Sequence, residues 1–230
     1  NEGGVSNFII ENDAMLLQNS SEPNSVLATV KRNSHQLFQL DYALWSSPVS
    51  TQNLRSFSSQ TYFNRFYSYN NSIGTNGAYQ QEIFTTADMN NKLFASGKGY
   101  LIRMPNNWIT YNSTNIPQNY NGIFKGLLNN GAISVPLSNV NARLNLVGNP
   151  YPSPISIQSL FDENPTIEKT IYCWRKVGSA NPLNTSSGYA TLNMLGIVFA
   201  DTNVSTPTEI QTGQGFFVVA NATNPGNLVF

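Results

Sequence analysis

The 230 residues are enough for one large β domain or two small ones, and a content of 40% hydrophobic and 12% aromatic residues can fill a sizeable core. Only 10% of residues are charged, and 12 basic side chains cancel 12 acidic ones, so no basic stripe meets a phosphate backbone and nucleic acid is not an expected partner. No apolar run approaches the roughly 18 residues of a membrane span, and no membrane insertion is expected.

Asn, Ser, Thr and Gln carry the polarity instead. Such a surface is hydrated without being charged, and its short side chains favour turns over helices, a composition common in secreted β-proteins. The single cysteine, Cys173 in TIYCWRK, rules out an intrachain disulfide and reads as a buried small hydrophobe between large apolar neighbours. Six Asn-X-Ser/Thr sequons, at Asn19, Asn70, Asn112, Asn184, Asn203 and Asn221, follow from the same Asn- and Ser-rich composition. Residue 1 opens a polar stretch, so any targeting segment is expected to lie outside residues 1–230.

Along the chain, residues 1–20 stand apart. NFIIENDAMLLQNS has short apolar triplets split by Asn and Asp, which suits one rung of a β-solenoid with FII and MLL facing inwards. A single rung cannot bury its own face, so it must lean on the rest of the chain or continue a longer array. After it come short runs rich in Val, Ile, Tyr, Phe and Thr: VLATVKR, RFYSYN, GYLIRM, AISVPLS, RLNLVG, TIYCWRK, GFFVVA and NLVF. Gly, Asn and Pro separate them, as they separate strands. Helical spacing is confined to ISIQSLF, where Ile157, Leu160 and Phe161 fall at i, i+3 and i+4 between Pro154 and Pro165. The expected fold is all-β, a sandwich or jelly roll.

An internal repeat refines this. Four features recur in order: Ser-Pro-[Val/Ile]-Ser (Ser47–Ser50 and Ser153–Ser156), an aromatic strand (RFYSYN and TIYCWRK), Gly-X-Gly-aromatic (GKGY and GQGF), and Asn-X-Gly before a strand. They imply two related halves, 21–138 and 139–230, forming one compact domain. Proline fixes φ and removes a donor, so Pro48, and Pro150, Pro152 and Pro154 in GNPYPSPIS after Gly148, should mark strand-ending corners. Gly97, Gly99, Gly213 and Gly215 should provide left-handed turns or close backbone approach. No phosphate-cradling motif follows them.

Together DYALWSSPVS, RFYSYN, GKGYLIRMPNNW, LNLVGNPYPSPIS and IQTGQGFFVVA resemble a large extracellular module of flavobacterial type IX-secreted surface proteins, from about Gln36 to Phe230. The resemblance implies export across the outer membrane and residence at the cell surface or outside the cell. It implies no catalytic residues, and the sorting signal that accompanies the module elsewhere does not appear after NLVF.

The chemistry in the sequence is sparse. One histidine, His35, and one cysteine cannot supply the usual zinc sets, and no Gly-X-Ser-X-Gly elbow is present. Asp162 and Glu163 are the only adjacent acids; a hydrolase would need them as a carboxylate pair, but Asp162 reads more simply as a turn cap. No cofactor is expected, while a structural Ca2+ remains compatible with carbonyl- and amide-rich loops. Trp45 and Trp174 read as core anchors. Trp108, Tyr111 and Tyr120, set among amides, are the candidate sugar-stacking residues. The reading that follows is a non-catalytic structural or adhesion module, assembling with other domains of its polypeptide or with its own copies. A carbohydrate-binding module contacting surface glycans and a polysaccharide hydrolase are the alternatives.

Overall fold

The computed structural model describes residues 8–176, 187–193, 196–198 and 208–230, so the sequons at Asn184 and Asn203 lie outside the described residues. The first half contains β1 (Phe8–Ile10), β2 (Leu27–Leu37), β3 (Tyr42–Trp45), α1 (Leu54–Phe57), β4 (Phe66–Asn70), β5 (Ala78–Gln81), α2 (Asp88–Asn91), β6 (Tyr100–Arg103), β7 (Gln118–Leu127) and β8 (Ser134–Pro136). The second contains β9 (Leu144–Gly148), β10 (Ile155–Ser156), α3 (Ile157–Glu163), β11 (Ile167–Lys176), β12 (Ser187–Asn193), β13 (Gly196–Val198), β14 (Glu209–Ile210), β15 (Gly215–Ala220) and β16 (Asn227–Val229). The fold is all-β and sandwich-like, as expected.

Duplication is visible in the strand order. One sheet runs β3-β6-β4-β5 and the other β13-β12-β11-β15-β9, so β3, β6, β4 and β5 correspond to β9, β15, β11 and β12. The registers agree residue by residue. Trp45 pairs with Tyr100 as Val147 pairs with Phe216, and Tyr67 pairs with Leu101 as Tyr172 pairs with Phe217.

Side chains alternate between sheet faces, so each sheet has an inner and an outer set. Tyr42, Leu44, Tyr67, Tyr69, Tyr79 and Leu101 of the first sheet meet Leu144, Leu146, Tyr172, Trp174 and Phe217 of the second in one cluster. The outer face of the first sheet, with Trp45, Phe66 and Ile102, is covered by α1 and by Val30 and Phe124 of the β1-β2-β7 sheet. The outer face of the second, with Val147, Ile171 and Phe216, is covered by α3 and by Leu228 of β16.

Helices α1 and α3 follow the same recipe. Asn53 and Ser156 sit in extended conformation at the N-caps and accept from the N–H groups of Ser56 and Ser159, and Leu54 and Phe57, or Leu160 and Phe161, point inward.

Two details of the expected repeat change. Ser47 Oγ accepts from Val49 N at 3.2 Å, while Asn149 Oδ1 accepts from Tyr151 N at 2.8 Å. Pro48 therefore corresponds to Pro150, the register placing Trp45 with Val147, and not to Pro154. The Ser153–Pro154 pair instead leads directly into β10, whose second residue, Ser156, caps α3. Nor are the Asn-X-Gly strands counterparts: β8 and β16 pair antiparallel with each other, and Val135 and Leu228 both pack on the second half's core.

Candidate functional site

The repeated motifs converge where the halves meet. Ser46 N donates to Gly213 O at 2.8 Å, and its counterpart Gly148 N donates to Gly97 O at 2.9 Å. The bridges Trp45–Gln214 and Val147–Lys98 are related in the same way, so each half's Gly-X-Gly turn docks on the other half's strand end. Gly97 and Gly213 take the turn at φ +74° and +69°, where a side chain is strained. Gly99 is needed for proximity, since a Cβ there would lie 2.5 Å from Val147 O. Asn129 locks the two proline corners together, donating to Ser47 O at 3.1 Å and Pro150 O at 2.9 Å. Proline corners and glycines thus build the junction between the halves.

A second junction faces outward. β1 pairs in parallel with β2, Ile10 beside Val30, and only Ile10 of the three β1 residues is buried. Behind β1 the chain is tied down: Leu16 N donates to Pro152 O, and Gln18 Nε2 to Asn129 O. The rung therefore leans on the domain, through the corner that carries Pro152. Among the described residues β1 is nevertheless the outer strand of its sheet, and Phe8, Ile9, Leu17 and Leu27 around it are 42%, 44%, 70% and 56% exposed. Of the triplet MLL only Leu16 packs against the core; Met15 and Leu17 point outward.

The expected sugar-stacking trio is mostly committed to structure. Tyr120 packs against the core and its hydroxyl donates to Phe57 O at 2.7 Å. Trp108 Nε1 donates to Leu37 O at 3.0 Å, and its ring meets Tyr120 edge-on at 5.5 Å. Tyr111 is exposed, with its ring edge-on to Phe38 at 5.3 Å. Trp45 is buried as expected, whereas Trp174 is only half-buried.

Asp162 does not cap a turn. It lies in the last turn of α3, where Gln158 Nε2 donates to it at 2.8 Å, and Asn164 serves the helix end by donating to Leu160 O. Cys173 packs against the second half's core, and burial pushes its thiol up to about 12. Among the described residues no group of three or more His, Cys, Asp and Glu side chains is placed to hold a metal ion.

Two related hollows flank the junction. One, of about 270 Å3, has Arg32, His35, Tyr42, Trp174 and Gln211 on its walls. The other, of about 310 Å3, has Tyr69, the counterpart of Trp174, and Ala95, the counterpart of Gln211. In the first, Arg32 is held by Asp13 at 3.1 Å and by Gln211 at 3.1 Å, and Gln214 Oε1 accepts from Gln211 N at 3.0 Å. Asp13, Arg32, Gln211 and Gln214 thus bond to one another. No spacing motif announces it, because the walls come from positions as far apart as 32 and 214.

The geometry defines a class: an all-β sandwich built from a duplicated sheet, with an accessory three-stranded sheet whose outer strand among the described residues is parallel. The chain belongs to the family described as Domain of unknown function (DUF8693), whose model matches residues 2–230. No curated protein and no solved structure matches it.

Proposed function

We propose that this chain is a non-catalytic structural or adhesive module of a secreted or cell-surface protein, docking to a neighbouring β-rich unit through β1. The observation that carries the reading is the outer edge of β1, which no strand among the described residues pairs, flanked by exposed Phe8, Ile9, Leu17 and Leu27. An unpaired edge beside apolar side chains is a template for strand addition unless charge or proline blunts it, and parallel pairing of one strand per turn is how solenoid rungs stack. Neighbouring domains of the same polypeptide, or other copies of the chain, supply such an edge. The low charge of the surface favours lateral contact over mutual repulsion. The motif order shared with exported surface modules supports a place outside the cell.

Sedimentation velocity over rising concentration tests the reading. The native chain should self-associate, and the double variant Ile9→Lys/Leu27→Lys, altered only at exposed positions, should weaken association about tenfold or more. A chain that stays monomeric at every concentration and ignores its neighbouring domains would refute docking through β1. Turnover of a glycan or peptide would refute the non-catalytic part.

A further inference from the structure

The two halves provide an internal comparison that exposes a binding site. Tyr42 pairs with Arg103 in the first sheet; the register puts Leu144 and Val219 in the same places in the second. Tyr67 and its counterpart Tyr172 keep the aromatic ring beside them. In the first half the Tyr42 ring lies 6.1 Å from Tyr67 and occupies this ground. In the second, Leu144 and Val219 are smaller, and a groove of about 580 Å3 opens over Tyr172, within the roughly 300–1,000 Å3 typical of ligand pockets.

From this geometry we propose that the groove binds a neutral pyranose ring of a polysaccharide. One wall is aromatic and rigid. Tyr69 and Tyr189 stand edge-on to Phe217 at 4.8 and 5.5 Å, and the Tyr189 hydroxyl is 2.6 Å from that of Tyr79, its counterpart in the other sheet. Another stretch of wall carries an ion pair, Arg143 to Glu168 at 2.6 Å, with Arg143 also donating to Ala220 O at 2.9 Å.

A pyranose fits both walls. Its C–H face packs on tyrosine rings, and adjacent hydroxyls can accept from a guanidinium while donating to a carboxylate. The ion pair leaves the groove with no net charge, which favours a neutral sugar over an acidic one. A purely apolar ligand would cover the pair and bring nothing to replace its water. This site is separate from β1 and from Trp108.

Calorimetric titration with soluble β-linked hexasaccharides of glucose, xylose and N-acetylglucosamine tests the proposal, with unfolding temperature recorded for every variant. At least one probe should bind. Leu144→Tyr, which restores the residue present in the first half, should weaken it about tenfold without lowering the unfolding temperature, and Glu168→Gln should weaken it several-fold. The Ile9→Lys/Leu27→Lys variant should bind as the native chain does, which keeps this outcome distinct from docking through β1. No heat with any probe, or equal affinity in Leu144→Tyr, would overturn the proposal.

Discussion

Gly148 shows how tightly the junction between the halves is drawn. A Cβ there would intrude on Ser46, its counterpart across the junction, closer than real Cβ atoms come. Gly148→Ala should therefore cost about 1–3 kcal/mol, the usual penalty of overpacking, read as a lower urea midpoint at unchanged slope. Asn129 is the polar equivalent. Replacing it with Ala leaves the buried carbonyls of Ser47 and Pro150 without their donor, and each such group costs about 1–3 kcal/mol.

Ionisation adds a pH dependence on the alkaline side. Burial pushes the Cys173 thiol and the Tyr100 hydroxyl up to about 12 and also raises Tyr69. The unfolded chain releases those protons at its ordinary values, about 8.5 for Cys and 10 for Tyr, so above pH 9 it binds fewer protons than the folded chain. Stability should be complete below pH 8 and fall steadily from about pH 9 to 12. Urea midpoints that stay flat across that window would contradict it, and Cys173→Ala should flatten part of the slope.

The sequons at Asn70, Asn112 and Asn221 have a local explanation at this scale. Each asparagine Oδ1 accepts from the N–H two residues on, at 2.9, 2.9 and 3.0 Å, so the pattern marks Asx turns.

Among the elements, the short helix at ISIQSLF, the Gly-X-Gly turns and the strands were legible, because each depends on side chains within a few residues of one another. Ser156→Ala tests one of them: losing the cap on Ser159 N should cost about 1 kcal/mol, less than the glycine change at the junction. The frame of the proline repeat was not legible. Ser47-Pro48 resembles Ser153-Pro154 in composition, yet it is Asn149 that repeats the turn made by Ser47, since Asn and Ser oxygens accept the same i+2 bond. The bond that positions Trp108 was hidden for a related reason. Its polar neighbours suggest exposure, whereas Leu37 O, which takes its Nε1 proton, lies 71 positions away in the chain.

At the scale of the molecule, each half completes the other. The reciprocal bonds Ser46–Gly213 and Gly148–Gly97, and the aromatic cluster shared by the two sheets, cross the boundary near residue 138. Strand β8, from the first half, packs on the second half's core beside β16. Calorimetry should therefore show one cooperative transition, and residues 21–138 expressed alone should not fold. Two transitions, or a fragment with a sharp unfolding transition of its own, would contradict this coupling.

Short-range pattern alone determined the all-β class, the doubling, the apolar setting of Cys173 and the glycine turns, for these follow from periodicity, backbone freedom and low charge. Only tertiary structure decided which prolines correspond, that β8 and β16 are partners, where a groove opens over Tyr172, and that Trp108 serves as a brace. Each of those depends on residues brought together across tens of positions, and the size of a neighbour such as Leu144 in place of Tyr has meaning only once the two sheets are face to face.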